Sequence, residues 1–151
     1  MTRRLLPILY YHHVGERRES GRRRRLWISN ERFAEQMSYL AREGYQCLTL
    51  RDGEAFLQGD ERTRPRAVVL TFDDGYKDFH EFAYPLLRQY GFGATVFVVT
   101  GQVGGLSRWD AGSETPLMGW TELRDLAAHG IEIGSHTASN VIGPSSVESI
   151  F

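Results

Sequence analysis

Two continuous apolar runs, Ala67 to Phe72 and Ala94 to Val99, constrain the fold of this chain most strongly. A strand that is apolar at nearly every position is typical of a sheet that is covered on both faces. Such sheets are parallel, and helical crossovers connect their strands. The chain therefore predicts an α/β fold, with its sheet at the centre of the molecule.

The segments around these runs alternate between strand and helix patterns. Phe33 and Met37 lie at helical spacing between a possible cap, at Ser29 or Asn30, and a stop signal at Gly44. The resulting order is β-α-β-α-β-α-β-α-β, with mainly parallel strands. We predict strands over residues 7–14, 45–50, 67–72, 94–99 and 131–134, and helices between the cap and residue 44 and over residues 52–58, 78–90 and 121–129.

The charge balance argues against a dedicated binder of nucleic acid. The chain has 18 Lys and Arg against 19 Asp and Glu, for a formal net charge of −1. The one basic block is Arg22–Arg25, preceded by Arg17 and Arg18. We interpret it as a solvated loop, with contact to an anionic polymer as the alternative.

The cysteine content and the apolar segments exclude two further classes of protein. The single Cys47 cannot form a disulfide framework or a cysteine-rich zinc site, and its surroundings predict a packed thiol. No apolar stretch approaches the length of a membrane span. Residues 5–11 are short and contain Pro7, which favours a first strand over a signal peptide. The compartment stays open.

Polar side chains follow three of the predicted strands. His12 and His13 follow the first, Asp73 and Asp74 the third, and His136 the last. In parallel α/β sheets, functional sites lie at the carboxyl ends of the strands. We therefore expect these side chains to meet at one rim of the sheet.

The Asp73-Asp74 pair suits a site in which one carboxylate binds a cation and the other faces water or substrate. Gly75 permits a sharp turn there. The alternative to a functional site is a purely structural turn in which an Asp caps the next helix. Asp74 with the imidazole of His136 would begin a Zn²⁺, Co²⁺ or Ni²⁺ site. A catalytic zinc needs three protein ligands, and these residues supply two.

Two motifs in this order resemble those of the polysaccharide deacetylase (NodB homology) domain of carbohydrate esterase family 4. Thr71–Gly75 matches T-F-D-D-G, and Ser135–Thr137 contains the first His of H-[ST]-x-x-H. Pro7–Val14 and Leu117–Leu123 resemble the poly-N-acetylglucosamine deacetylase branch. The resemblance implies an incomplete distorted (β/α) barrel, with about five parallel strands present.

The resemblance also implies a function and roles for individual residues. The function is a metal-dependent hydrolase that removes N-acetyl groups from an N-acetylglucosamine-containing polysaccharide. Asp73 matches the general base, whereas Asp74 and His136 match ligands of a divalent metal, most often zinc. His12, Tyr76 and Trp120 would lie at the site mouth or contact the sugar. Related enzymes mostly work at the cell envelope or outside the cell.

The sequence departs from the family at its carboxyl end. The second His of the motif is replaced by Asn140, whose amide oxygen is a weaker zinc ligand than imidazole. The family's later motifs are absent. We therefore predict a deacetylase amino-terminal part over residues 1–137 and an atypical tail over residues 138–151. Truncation of a longer gene and loss of the chemistry both fit this pattern.

Two alternatives belong to other classes of function. The first is a phosphoacceptor signalling domain with an acidic Mg²⁺ pocket, but such domains usually carry the acidic pair after the first strand and a Lys after a late one. Lys77 is the only Lys here. The second is a non-catalytic remnant.

In the barrel interpretation two strand edges lack partners, so we expect low stability and a tendency to associate.

Overall fold

The computed structural model of the chain describes residues 5–16, 25–59, 66–109 and 114–139. Its main sheet has five strands, and every pairing in it is parallel, which confirms the predicted α/β fold. The five strands are β1 (Ile8–Tyr11), β4 (Gln46–Leu48), β5 (Ala67–Phe72), β6 (Ala94–Val99) and β7 (Ile131–Thr137). Four of them follow the order β1-β5-β6-β7, and β4 also pairs with β5.

Helices connect these strands as the alternating pattern predicts. Ser29 is the cap of the first helix, because its hydroxyl accepts a hydrogen bond from the Arg32 backbone N–H at 3.3 Å. The helices are α1 (Asn30–Arg42), α2 (Leu50–Leu57), α3 (Tyr84–Tyr90) and α4 (Trp120–Ala128), with a π-helical turn at Phe79–Ala83 and a 3-10 turn at Thr100–Gln102.

The predicted first strand is divided into two at His12. Its second part, β2 (His13–Val14), leaves the main sheet and pairs in parallel with β3 (Trp27–Ile28). The last strand is longer than predicted, so His136 lies within β7 instead of after it. These two differences change the direction in which the site side chains point.

The predicted helix over residues 78–90 contains a π-helical turn. The Tyr84 backbone N–H donates to the carbonyl of Phe79, five residues earlier, which closes the π-helical turn. The backbone stays helical from residue 77 to residue 90, so this turn is part of one helix and α3 is its second half. Pro85 follows the turn and has no N–H to donate within the helix.

The core lies on both faces of β5, whose six residues are all buried. Phe33 and Met37 of α1 and Leu87 of α3 belong to the main cluster. Phe56 of α2 packs with Val69 in a smaller one. Cys47 is also buried, which confirms the packed thiol.

Strand β1 is the most exposed part of the sheet. Its only strand partner in the described ranges is β5. Ile8 is 52% exposed and Tyr10 is 71% exposed, so large apolar side chains of this strand face solvent.

The boundary that we predict between residues 137 and 138 is not tested by the fold and stays a prediction.

Within the ranges that the structure covers, no helix is both long enough and apolar enough to cross a membrane. Most of the arginine block and Asn140 lie outside the described residues.

Candidate active site

The Asp73-Asp74 pair leaves β5 through a sharp turn. The Asp73 backbone N–H donates to the Tyr11 carbonyl at 2.9 Å, which extends the pairing with β1 by one step. Asp74 (φ 73°) and Gly75 (φ 74°) then adopt left-handed conformations. A Cβ atom at Gly75 would approach the Val98 side chain to 3.0 Å, so the turn needs glycine for space as well as for its backbone angle. The expected divergence of the two carboxylates therefore comes from a turn, not from an extended chain.

Two histidines lie beside the two carboxylates. His136 Nε2 is 4.0 Å from Asp74 Oδ1, and His12 Nε2 is 3.8 Å from Asp73 Oδ2. The carboxyl ends of β1, β5 and β7 thus meet at one rim, as the strand order predicts.

Burial dominates the electrostatics of Asp74, which is 6% exposed. Removal from water raises the pKa of its carboxyl group, and the nearby Asp73 charge raises it further. His12, His136 and a hydrogen bond from the Tyr76 side chain act in the opposite direction, but the net pKa is raised. A cation bound beside Asp74 would offset the cost of burying its negative charge.

Tyr76 lies beneath the site and is only 1% exposed. Its hydroxyl accepts a hydrogen bond from Trp109 Nε1–H at 3.0 Å, and its side chain also hydrogen-bonds Asp74. This position differs from the site-mouth position expected of Tyr76. The contacts favour a role in orienting Asp74 over direct contact with a sugar.

A buried histidine–aspartate pair supports Tyr76 from the other side. His13 Nδ1 lies 2.6 Å from Asp78 Oδ2, and the His13 ring is sandwiched between Tyr76 and Trp27 with centroid distances of 3.6 and 4.0 Å. Asp78 and Trp27 were not expected at the site from the sequence. The His12-His13 doublet is the sequence feature that could have pointed to this buried pair. Neighbouring side chains on a strand point in opposite directions, so one of the two histidines faces the interior.

The segment before α4 closes one side of the turn. The Met118 backbone N–H donates to the Gly75 carbonyl at 2.9 Å, and the Lys77 N–H donates to the Pro116 carbonyl at 3.0 Å. Trp120 begins α4 and is 57% exposed. In the described part of the chain it takes no part in the contacts around the carboxylates.

The strand that carries His136 is anchored where it ends. The Gly101 N–H donates to the Ala138 carbonyl at 2.9 Å, and the Gln102 side-chain amide donates to the Ser139 carbonyl at 3.3 Å. Both donors belong to the 3-10 turn after β6. His136 is therefore held at the rim by its neighbour strand, although its side chain is 31% exposed.

Asp74 and His136 carry the donor types that zinc binds, a carboxylate oxygen and an imidazole nitrogen. Ligand atoms about 2.0–2.2 Å from a tetrahedral zinc lie about 3.3–3.6 Å apart, so the 4.0 Å between these two atoms would have to shorten by a few tenths of an ångström to hold the ion. Over residues 5–16, 25–59, 66–109 and 114–139, no group of three or more His, Cys, Asp or Glu side chains could hold a metal. A third ligand is thus not among the described residues.

Comparison with known sequences gives matches over most of the chain. The family profile described as polysaccharide deacetylase matches residues 60–145. YxkH of Bacillus subtilis, a protein named for this same family, is 33% identical over 136 residues, which are 90% of this chain and 43% of YxkH. The poly-beta-1,6-N-acetyl-D-glucosamine N-deacetylase of Staphylococcus aureus is 34% identical over 79 residues, which are 51% of this chain and 26% of the enzyme.

Comparison with solved structures gives the same fold. The Streptococcus pyogenes deacetylase PplD, solved in complex with acetate, superposes with a TM-score of 0.71 at 27% sequence identity. The match covers 89% of this chain and 57% of PplD. The chain thus spans about half the length, or less, of these relatives.

Proposed function

The chain belongs to the polysaccharide deacetylase family, and from this membership we propose that its rim residues serve hydrolysis of an N-acetyl amide on a polysaccharide. The observation that carries the proposal is the pairing of His136 with Asp74, 4.0 Å apart and directly beside Asp73. With His12, which lies 3.8 Å from Asp73, side chains at the ends of three strands that are distant in sequence meet here. A turn that served only to connect β5 to the next helix would not need that convergence.

The relatives favour an N-acetylglucosamine polymer as the substrate class. The Staphylococcus aureus relative is named for deacetylation of poly-beta-1,6-N-acetyl-D-glucosamine, and PplD is a deacetylase that was solved with acetate. Acetate is one product of amide hydrolysis at an N-acetyl group. We extend this substrate class to the chain as part of the proposal.

Members of the family typically depend on a divalent metal. Asp74 and His136 would hold it in this chain, and zinc, cobalt or nickel suits a carboxylate–imidazole donor set. Such an ion, when bound, supplies positive charge that polarises the amide carbonyl and favours ionisation of the attacking water.

Asp73 is the proposed general base. Its carboxylate is half-buried and remains reachable from solvent, with 24% of the side chain exposed. Asp73 takes a proton from the water that attacks the carbonyl carbon and returns it to the amine as the carbon–nitrogen bond breaks. The products are acetic acid, which ionises to acetate, and the free sugar amine. His12, 3.8 Å from Asp73, orients the base.

Metal affinity provides the first test of the proposal. We expect the chain to bind Zn²⁺ in calorimetry, and Asp74→Asn or His136→Ala to weaken binding about tenfold or more. Asp125→Asn and His129→Ala are matched controls, because this exposed pair lies on α4 and just after it. Equal affinity in all four variants would remove Asp74 and His136 from the metal site.

Acetate release from N-acetylglucosamine oligomers provides the second test. We expect little release from the natural chain and more after Asn140→His, because imidazole is the better zinc ligand. Asp73→Asn in that background should lower the release by about 10² or more, with zinc affinity unchanged. A chain that binds zinc through Asp74 and His136 but never releases acetate would be a non-catalytic remnant.

The phosphoacceptor alternative gains no support from the site. Its late-strand lysine has no counterpart, since the only Lys of the chain, Lys77, follows β5 and its Nζ pairs with Glu122 at 3.3 Å. Incubation with acetyl phosphate should therefore leave Asp73 and Asp74 unmodified in intact-mass measurements.

A further inference from the structure

A cavity of about 450 Å³ lies beside the candidate active site. Its walls come from the small β2–β3 sheet, the π-helical turn and the segment at residues 114–116. This volume falls in the range of small-molecule sites. None of the described residues that we assign to deacetylation lines the cavity. The proposed reaction therefore does not explain the aromatic and acidic residues that do line it.

Aromatic rings form one part of the cavity wall. Trp27 and Phe82 both line it, and Phe82 is 45% exposed even though it is a large apolar side chain. The Phe82 ring lies against the bare backbone of Gly15, where a Cβ atom would stand 3.4 Å from two ring carbons. An exposed aromatic face of this kind suits the C–H face of a sugar ring, which is apolar and flat.

The charged groups of the cavity are mostly negative. Among the described residues that line it, Glu16, Glu81 and Glu114 carry carboxylates, Asp78 is paired with His13 at 2.6 Å, and Lys77 is the one cation. That ammonium group is already paired with Glu122 at 3.3 Å. The excess of carboxylates favours a positively charged ligand over a neutral or an anionic one.

Asn30 adds an unused hydrogen-bond acceptor. The residue lines the cavity, and its side-chain oxygen is buried and has no hydrogen-bond partner in the described structure. Buried polar atoms are nearly always paired, because an unpaired one has lost its water without compensation. A ligand that carries several N–H or O–H donors would satisfy it.

The cavity is connected to the candidate active site by stacked rings. Trp27 stacks on His13, and His13 stacks on Tyr76, which hydrogen-bonds Asp74. The His13 and Tyr76 rings are buried, so the stack shows only that the cavity and the Asp73-Asp74 rim lie a few side chains apart, a span that units of one polymer can cover.

We propose that this cavity binds a hexosamine unit whose amino group is free and protonated, next to the unit that is deacetylated. The inference rests on the proposed function, because the free amine is the group that deacetylation leaves on the polymer. The aromatic face takes the sugar ring, the carboxylates take the ammonium group, and Asn30 accepts a hydroxyl or ammonium hydrogen. The chain then prefers partly deacetylated polymer to fully acetylated polymer.

Calorimetric titration of the full chain with three tetrasaccharides tests this preference, in EDTA so that no metal contributes. The probes are the glucosamine tetramer, the N-acetylglucosamine tetramer and cellotetraose. We expect the glucosamine tetramer to bind about tenfold tighter than the other two, with a preference that shrinks as salt is added. Equal affinity for the three oligomers would overturn the proposal.

Conservative variants then locate the binding. Glu81→Gln and Glu114→Gln should each weaken the glucosamine tetramer about threefold and leave cellotetraose unchanged, whereas Phe82→Ala should weaken every oligomer that binds. Glu54→Gln on α2 and Tyr39→Ala on α1 are the matched controls, since both residues are exposed and lie outside the cavity. If none of the three cavity variants changed the affinity for the glucosamine tetramer, the proposal would be overturned.

These results separate the cavity from the reaction. Acetate release without cavity-dependent glucosamine binding would overturn the cavity assignment and leave the proposed function standing. Cavity-dependent binding without acetate release, even with Asn140→His, would support the cavity and contradict the proposed reaction.

Discussion

At the scale of single residues, Cys47 shows how burial controls chemical reactivity. The side chain is 4% exposed, and removal from water raises the pKa of its thiol to about 12. The thiolate is the reactive form, so almost none is present at neutral pH. Cys47 is therefore a packing residue in a chain that otherwise lacks cysteine.

We predict that iodoacetamide labels Cys47 at least about a hundredfold more slowly in the folded chain than in denaturant at pH 8. Intact-mass measurement over time gives both rates. Leu48→Ala next to it in β4 should accelerate labelling, because it opens the packing around the strand. Equal rates in folded and denatured protein would place Cys47 outside the core.

Single residues also mark the limit of what the sequence predicts at the site. The carboxylate pair and His136 were identified because polar residues follow apolar strands. The roles of His12 and His13 could not be separated, since the outcome depends on how the strand divides at His12. That division turns His13 into the core and leaves His12 beside Asp73. The burial of Tyr76 likewise depends on Trp109 and His13, which are far from it in sequence.

At the scale of elements, the turn from β5 combines backbone strain and close packing at one glycine. Gly75 has a positive φ, and a side chain there would press against Val98. Gly91 also has a positive φ, but open space surrounds its Cβ position. The two glycines therefore separate the cost of backbone strain from the cost of a steric clash.

We predict that Gly91→Ala lowers the free energy of unfolding by about 1–2 kcal/mol, from backbone strain alone. Gly75→Ala should cost about 1–3 kcal/mol more than that, from overpacking against Val98. Urea unfolding measures both. Addition of Val98→Ala should recover part of the second loss, and equal losses at the two glycines would contradict the clash.

Glu122 lies in the first turn of helix α4, and its neighbours shift the pKa of its carboxyl group. Burial on its own would raise the pKa of Glu122, but the hydrogen bond from the Gly119 backbone N–H at 2.7 Å and the Lys77 ammonium group lower it below the ordinary value. A lowered pKa in the folded state means that the charged form stabilises the fold. That contribution is present above the unfolded-state pKa of 4.5 and is lost as the pH falls through the lower folded-state pKa.

We predict that Glu122→Gln destabilises the chain at neutral pH and that the difference from the natural chain shrinks as the pH falls below about 4. Thermal unfolding over a range of pH values measures this difference. Lys77→Met should reduce the same pH-dependent difference, because it removes one of the groups that lower the pKa. A difference independent of pH would show that Glu122 acts through packing instead.

The boundaries of elements were harder to predict than their existence. All five strands of the main sheet were expected, because continuous apolar runs identify buried strands. The π-helical turn before α3 was not, since it is defined by a hydrogen bond from the Tyr84 N–H to the Phe79 carbonyl that no local sequence pattern reveals. The extension of β7 past residue 134 depends on its pairing with β6, which no local pattern reveals.

At the scale of the whole molecule, the sheet presents an apolar strand to solvent. β1 pairs with β5 on one side, and Leu5, Ile8 and Tyr10 are strongly exposed in the described structure. Soluble proteins usually protect such edges with charge, proline or cover. We therefore expect association to act through this surface.

We predict that the 151-residue chain forms oligomers in light scattering and that Ile8→Lys with Tyr10→Lys shifts it toward monomer. Since both side chains are already exposed, the pair of changes should leave the melting temperature nearly unchanged. Phe82→Lys, which places the same charge on an exposed apolar position away from β1, is the control. A monomeric natural chain with a sharp, cooperative melt would contradict the prediction.

The left-handed backbone of Asp74 has a consequence for how such a chain changes over generations. Asparagine and glycine tolerate this conformation at least as well as aspartate does. Each is also free of the cost of a buried negative charge. Selection for folding alone therefore does not maintain an aspartate at position 74. A lineage that is no longer selected for catalysis would lose this carboxylate and keep the fold. An aspartate retained at position 74 across descendants would be a record of continued use.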